Sequence, residues 1–80
     1  MNRECKYDKN FEKFSLKVQK RIRNLRLERD LSQEDLMEYG LSLRTVQRIE
    51  NTSEPANITL LTLFRLSVAF GVKPEDLFDI

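Results

Sequence analysis

The stretch from residue 32 to residue 50 limits the fold more than any other part of this chain, because it holds closely spaced helix start and stop signals. Ser32 is followed three residues later by Asp35, the spacing with which a hydroxyl and a carboxylate cap the first turn of a helix. Gly40 can end that helix, since glycine adopts positive φ without a Cβ clash. The sequence therefore predicts a short helix over 33–39 and a tight turn after it.

A second short helix is predicted over 43–51, with Ser42 as its cap. Val46 and Ile49 are three residues apart and would point inward together. The polar side chains left facing outward are those of Arg44, Gln47 and Arg48. Two helices joined by a tight turn, with hydrogen-bonding side chains exposed on the second, form the geometry that reads a DNA major groove. We therefore predict a DNA-binding protein.

A longer helix precedes this motif. Its apolar residues recur at spacings of four and three and form one stripe, which consists of Phe11, Phe14, Val18, Ile22 and Leu25. Either Asn10 or Ser15 could cap this helix, which should run to about Arg29. We divide the chain into an N-terminal extension, 1–14, which can include the start of this helix, and a helix-turn-helix domain, 15–80.

A fourth and a fifth helix complete the pattern. Asn57 or Thr59 caps the fourth helix, which runs to Phe70 and stops at Gly71. Pro74 suits the first turn of a short last helix, because the N–H that proline lacks has no helical partner there. No run of alternating residues is long enough for a convincing strand. The expected fold class is all-α, a compact bundle of five helices.

The fourth helix carries two apolar stripes at helical spacing. One stripe consists of Leu60, Leu63, Leu66 and Phe70. The other, which we call the outer stripe, consists of Leu61, Phe64 and Val68. Two explanations stay open: the outer stripe is covered within the chain, or it forms a dimer interface. The residues that could cover it are Tyr7, Phe11, Phe14, Leu77, Phe78 and Ile80. The predicted dimer interface combines the outer stripe with Leu77, Phe78 and Ile80.

Composition favours a small soluble domain in the cytoplasm. The chain has 80 residues, 40% of them hydrophobic, and a mean hydropathy of −0.53. These values fit one globular domain. The longest apolar-rich stretch, 58–72, is interrupted by Thr62, Arg65 and Ser67, so no membrane span is expected. The N-terminus lacks the apolar run of a secretion signal.

The sequence contains few of the residues and motifs that catalytic sites use. The sequence has no histidine, which removes the commonest general base and metal ligand. Its one cysteine, Cys5, cannot form an internal disulfide or a metal site by itself. No pattern resembles a nucleophile–base pair or a phosphate-binding glycine loop. We therefore predict no enzymatic activity, no cofactor, no metal and no small-molecule ligand.

Charge is distributed unevenly although the formal net charge is only +1. Residues 1–29 contain ten Lys/Arg and four Asp/Glu, whereas residues 30–80 contain four and nine. A basic N-terminal third beside an acidic remainder could place one face against phosphates. The basic residues of the first helix considered for this role are Lys17, Lys20, Arg21 and Arg23. Because they are spread around the helix, at most two of them should face DNA.

Three segments together resemble a known family: IRNLRLERDLSQEDL, GLSLRTVQRIEN and LLTLFRLSVAFGVKPEDLF. They are similar to the Cro/repressor-type (XRE-like, lambda-repressor-like) helix-turn-helix regulators over roughly residues 15–78. The resemblance implies a lambda-repressor-like domain. It also implies a sequence-specific transcriptional regulator that binds double-stranded DNA as a homodimer on a palindromic operator.

The resemblance also implies roles for individual residues. The positions that look base-reading are those of Leu43, Arg44, Gln47 and Arg48. Those expected at the DNA backbone are Gln33, Ser42, Thr45 and Asn51, with Arg23 added from the basic helix. Gln33 would also brace the recognition helix. Arg26 and Glu50 resemble a pair that forms a buried salt bridge between the first and third helices.

The chain departs from the family pattern in two places. Between Gln33 and Glu50 it is one residue shorter, with the deletion just before Gly40. The second helix must therefore end early, or the turn must tighten. The loop between Asn51 and Leu60 is longer than usual, so its DNA contacts are not carried over.

A second hypothesis treats the chain as a protein-interaction module. It would be an antitoxin or an adaptor whose main partner, such as a toxin, binds the fourth helix and the C-terminus. The outer stripe and the acidic C-terminal half support this alternative. A stripe buried in a symmetric homodimer favours the regulator, whereas a monomer that exposes it favours a missing protein partner.

Overall fold

A computed structural model describes residues 5–80, and all regular structure in that range is helical. The three α-helices are α1 (Asp8–Glu28), α2 (Leu43–Glu50) and α3 (Leu60–Phe70). The two remaining segments are 3-10 helices, Glu34–Tyr39 and Pro74–Phe78. The predicted all-α class is confirmed, but two of the five expected helices are 3-10 rather than α. No helix in the described range is long and apolar enough to span a bilayer.

The start of α1 differs from the prediction. Of the predicted extension, residues 1–4 lie outside the described residues, and the segment from Asp8 onward already belongs to α1. Tyr7 occupies the N-cap position without a side-chain hydrogen bond. Both predicted caps, Asn10 and Ser15, are therefore wrong, since each lies inside the helix. Ser15 is buried and binds another segment instead.

The first 3-10 helix begins with the predicted capping box. The Asp35 amide donates to Ser32 Oγ at 3.0 Å, and the Ser32 amide donates to Asp35 Oδ2 at 2.7 Å. A 3-10 helix rises about 2.0 Å per residue and an α-helix about 1.5 Å. Its six residues therefore span about 12 Å instead of about 9 Å. The tighter winding gives the shortened segment the reach of a longer α-helix.

Gly40 ends this helix in the left-handed conformation, at φ 83°. Its amide donates to the Met37 carbonyl at 3.1 Å, and its own carbonyl accepts from Arg65 Nη1 at 3.1 Å. Ser42 then caps α2, because its Oγ accepts from the Thr45 amide at 3.1 Å. The predicted turn is confirmed, and Arg65 fastens it to α3.

We expect Gly40→Ala to destabilise the protein by about 1–2 kcal/mol, because alanine is strained in the left-handed conformation. Contact between the new Cβ and the Arg65 side chain should add to this loss. A Cβ at this position would lie 3.2 Å from Arg65 Cζ. Gly71→Ala is the matched control, since Gly71 has φ 67° but nothing within 4 Å of its Cβ position. Chemical denaturation of both variants measures the difference. Equal losses would show that Arg65 moves aside at no cost.

The later helices follow the predicted signals more closely. Thr59, not Asn57, caps α3, because its Oγ1 accepts from the Thr62 amide at 3.2 Å. Gly71 ends α3 at φ 67°, and Pro74 occupies the first turn of the second 3-10 helix.

The core is formed by one apolar cluster from all five helices and the turn. Its buried members are Val18, Ile22, Leu25, Leu36, Leu41, Val46, Ile49, Leu66, Phe70 and Leu77. Leu77 is completely buried, so its prediction as a dimer-interface residue is wrong. It packs in the monomer core, where the second 3-10 helix meets α3.

The face of α3 turned away from the core is uncovered. Leu61, Phe64 and Val68 are 55%, 57% and 52% exposed, so the outer stripe is left open by the described residues, 5–80. Leu60, which the sequence places in one stripe with Leu63, Leu66 and Phe70, is 85% exposed because it lies in the first turn of α3, at the edge of that face. Phe14 stacks on Phe78 instead, with ring centroids 5.9 Å apart.

Candidate nucleic-acid interface

Helix α2 is fixed to the core by one face and leaves the other exposed. Val46 and Ile49 are buried, as their spacing predicted. The exposed side chains Arg44, Gln47 and Arg48 lie at positions i, i+3 and i+4, which share one helical face. None of these three makes a side-chain hydrogen bond or an ion pair within residues 5–80. Their side-chain donors, and the side-chain carbonyl oxygen of Gln47, are therefore available to a ligand.

The first turn of α2 contributes smaller groups to the same end of the helix. Leu43 is half-buried and retains some accessible apolar surface. Ser42 Oγ lies 2.8 Å from Thr45 Oγ1 and donates its hydrogen there, while accepting the capping bond. The Ser42 hydroxyl is therefore occupied by the cap. The Thr45 hydroxyl is the one that retains a hydrogen for an outside acceptor.

The far end of α2 is held by a buried ion pair. Arg26 Nε donates to Glu50 Oε2 at 2.7 Å, and Arg26 Nη2 donates to Glu50 Oε1 at 2.9 Å. The side chains are only 10% and 5% exposed. Gln33 Nε2 adds a third donor to Glu50 Oε1 at 3.1 Å. The two-pronged geometry with an extra donor satisfies the buried carboxylate on both oxygens.

Arg26 connects this ion pair to the start of the motif. Its Nη1 donates to the Leu31 carbonyl at 2.6 Å, just before the first 3-10 helix. The hydrogen bond to Glu50 raises the pKa of Arg26 above its ordinary value, although burial acts in the opposite direction. The guanidinium therefore stays charged in the folded protein and joins α1, the motif entrance and the end of α2.

Gln19 is a second buried connection, which the sequence analysis missed. Its Nε2 donates to the carbonyls of Ile49 at 2.8 Å and Glu54 at 3.1 Å, with the Asn51 carbonyl also within reach at 3.4 Å. Its Oε1 accepts from the Ala56 amide at 2.9 Å. The available signal was a polar residue on the apolar face of α1, where a buried amide must find hydrogen-bond partners.

The structure separates the basic residues of α1 into two groups. Lys20 and Arg23 line a polar groove with Asn24, Glu50 and Thr52, beside the end of α2. The other two, Lys17 and Arg21, lie by the C-terminal residues Asp79 and Ile80, in a groove that Lys20 and Asn24 also border. Arg21 Nε donates to the Asp76 carbonyl at 3.2 Å. Two of the four cations therefore lie close to α2.

Asn51 closes α2 and is exposed. Its Oδ1 accepts from the amide of Ser53 at 3.3 Å and from the Ser53 hydroxyl at 2.6 Å. The amide nitrogen of its side chain has no partner among the residues described, so it can donate outward. Within residues 5–80, no group of three or more Cys, Asp or Glu side chains is arranged to hold a metal ion.

Comparison with known proteins assigns the family. A family model for the helix-turn-helix of the XRE, or Cro/C1, type matches residues 22–77. No curated protein and no solved structure matches the chain significantly. The matched range runs from the second half of α1 into the second 3-10 helix and contains the whole turn between Gly40 and Ser42. The chain therefore belongs to the XRE-type helix-turn-helix family, and it forms a DNA-binding domain of the transcription-regulator type.

Proposed function

We propose that this protein is a sequence-specific transcriptional regulator that binds a palindromic operator as a homodimer. The observation that carries the proposal is the outer face of α2. Arg44, Gln47 and Arg48 are exposed there without partners in the described chain, on a helix held rigidly by Val46, Ile49 and the Glu50 ion pair. Rigid presentation of hydrogen-bonding side chains is what base recognition in the major groove requires.

Base recognition would follow from the chemistry of these side chains. An arginine donates two hydrogen bonds to guanine O6 and N7, and a glutamine pairs with adenine N6 and N7. We assign base reading to Arg44 and Gln47, and also to Arg48, which lies one turn beyond Arg44. Leu43 would pack against a thymine methyl group. Each two-bond contact discriminates against the wrong base by about 1–3 kcal/mol.

Backbone contacts would orient α2 in the groove. The proposed contacts come from Gln33, Ser42, Thr45, Asn51 and Arg23. Gln33 uses one amide hydrogen on Glu50 and keeps the other for a phosphate. Ser42 is the weakest member of this set, because its hydroxyl is used by the cap and by Thr45.

The homodimer is supported by the uncovered face of α3. The outer stripe and Leu60 together expose apolar area on the order of a few hundred Å², the size of patches that mark interfaces. Phe78 and Ile80 are exposed as well and extend the apolar surface at the C-terminus. Operator binding would require the twofold axis through this face to place the two copies of α2 about 34 Å apart, one turn of DNA.

The same uncovered stripe is the observation that favours a second candidate. In that case the chain is an antitoxin or adaptor, and another protein covers α3. The oligomeric state separates the two. A homodimer that buries the outer stripe supports the regulator, and a monomer at micromolar concentration supports the interaction module.

The test of the proposed function is selection of binding sites from a randomised duplex library. We expect a palindromic consensus whose half-sites are centred one turn, about 10 base pairs, apart. Arg44→Ala should lose the preference at one position of each half-site, by roughly 5- to 150-fold, because a two-bond contact is lost. Arg44→Lys keeps the charge but not the paired geometry, so it should lose the same preference.

Lys73→Ala is the matched control for charge, since Lys73 is exposed at the N-cap of the second 3-10 helix. It should leave the consensus unchanged. Weak binding without a consensus, or a consensus unaffected by Arg44→Ala, would contradict base reading by α2.

A further inference from the structure

We propose that Gln19 positions a phosphate-binding groove beside the recognition helix, formed by Lys20, Arg23, Asn24 and Thr52. The ligand is a phosphate of the DNA backbone. This inference rests on the proposed DNA-binding function and adds to it a phosphate site between α1 and the loop after α2. The sequence left Lys17, Lys20, Arg21 and Arg23 as candidates for phosphate contact, and the structure places Lys20 and Arg23 together in this groove.

The segment after α2 depends on α1 for its shape. Residues 52–58 form no helix or strand, so their backbone groups cannot be satisfied by regular structure. Gln19 supplies partners for this segment from α1, at the Glu54 carbonyl and the Ala56 amide. It also holds the last turn of α2 through the Ile49 carbonyl. One buried amide therefore fixes the loop relative to both helices.

Ser15 strengthens the same connection one turn earlier on α1. Its Oγ donates to the Ala56 carbonyl at 2.7 Å and accepts from the Ala56 amide at 3.1 Å. Ser15 and Gln19 also approach each other, with Oγ 3.0 Å from Oε1. Both side chains are buried, and every buried side-chain polar atom among the described residues has a partner. A fully satisfied buried network of this kind holds one geometry.

The groove that this geometry creates has the chemistry of an anion site. Lys20, Arg23 and Asn24 lie at positions i, i+3 and i+4 of α1 and face Thr52 across the groove. Neither Lys20 nor Arg23 has an ion-pair partner within residues 5–80. Glu50, the acidic residue in the groove, is already paired with Arg26. The remaining charge is positive, and phosphate oxygens accept hydrogen bonds from all these side-chain types.

The number of phosphates bound can be counted from the salt dependence of binding. Each neutralised phosphate contributes about −0.9 to the slope of log K against log salt concentration. Lys20→Ala should reduce the magnitude of the slope by about 0.9 per groove, hence by about 1.8 for a homodimer. Lys17→Ala is the matched control, because it removes the same charge from the neighbouring turn, beside the C-terminal residues. It should leave the slope near that of the parent.

The positioning role of Gln19 needs its own variants. Gln19→Met keeps the length of the side chain and removes all its hydrogen bonds, and we expect a slope reduced like that of Lys20→Ala. Ser15→Ala removes one hydroxyl, and it carries the test if Gln19→Met fails to fold. Ser67→Ala is the control for lost stability, since Ser67 is buried on α3 and its Oγ donates to the Phe64 carbonyl at 2.6 Å, within its own helix and not to the loop. It should lower the melting temperature without changing the slope.

All slopes are measured on the selected consensus duplex between 50 and 200 mM salt, well below the melting temperature of each variant. Equal slopes for Lys20→Ala and Lys17→Ala would overturn the groove. Folded Gln19→Met and Ser15→Ala proteins with the parental slope would overturn the positioning role. In both cases a retained consensus that depends on Arg44 leaves the proposed function standing. If the proposed function is wrong, the binding-site selection should give no consensus at all.

Discussion

Replacing Glu50 with alanine is expected to unfold the protein or to leave it barely folded. The substitution leaves Arg26 Nε and Nη2 without acceptors at a side chain that is only 10% exposed. Removing one partner of a buried ion pair typically costs about 3–5 kcal/mol. A domain of 80 residues has a small core and little more stability than that to lose. Thermal denaturation followed by circular dichroism measures the loss.

Two variants separate this explanation from a general effect of losing an acidic residue. Glu38→Ala changes an exposed side chain of the first 3-10 helix and should melt close to the parent. The double variant Arg26→Met/Glu50→Leu removes both charges and should recover most of the stability, because no unpaired charge remains. A Glu50→Ala protein that melts cooperatively near the parental temperature would contradict the structural role of the pair.

The ion pair should contribute to stability over the whole neutral range of pH. The pKa of Arg26 is raised in the folded protein, chiefly by its hydrogen bond to Glu50. A raised folded pKa makes a contribution that is complete below the unfolded pKa and is lost as the pH rises through the folded one. For an arginine that loss falls in strong alkali.

The helix-turn-helix motif was predictable because its signals are local. Ser32 and Asp35 cap each other across three residues, and Ser42 caps α2 across the same distance. Gly40 needs only its own backbone freedom to end the first helix of the motif. The exposed face of α2 followed in the same way, since burial of Val46 and Ile49 leaves Arg44 and Gln47 outside.

The features that sequence reasoning missed depend on contacts between distant parts of the chain. Gln19 forms hydrogen bonds with residues 30 to 37 positions away in the sequence, so no local pattern predicts its role. Leu77 looked like an interface residue because the stripe pattern did not show that the second 3-10 helix folds back on α3. Ser15 is a good N-cap by residue type, but its hydroxyl is engaged by Ala56 across the fold.

The winding of the first 3-10 helix was only partly predictable, because it depends on both local sequence and tertiary contacts. The one-residue shortening before Gly40 offered two local solutions, an early end or a tighter turn. The structure takes a third, in which all six residues from Glu34 to Tyr39 are wound more tightly. Both ends of this helix are fixed by tertiary contacts, because Gln33 donates to Glu50 and the Gly40 carbonyl accepts from Arg65. A distance fixed by tertiary contacts thus decided the local helix type.

The second large effect is expected from Phe64→Asp, which should convert the proposed homodimer into monomers. Phe64 lies at the middle of the outer stripe and is 57% exposed, so its replacement leaves no cavity in the monomer core. In a dimer built on this face, the new carboxylate would be buried without a partner, which costs several kcal/mol. Sedimentation equilibrium over a range of concentrations measures the change.

The same variant should weaken operator binding although it leaves α2 unaltered. A monomer engages one half-site at a time, so we expect a loss of at least about 100-fold in affinity, or about 2.8 kcal/mol, for the full palindrome. Binding to an isolated half-site should be unchanged. Phe11→Asp is the matched control, because Phe11 is an exposed aromatic residue of α1 outside the outer stripe. A dimer that survives Phe64→Asp but is lost in Phe11→Asp would move the interface to α1. A parent that is already monomeric would contradict the homodimer and favour the second candidate, in which another protein covers the outer stripe.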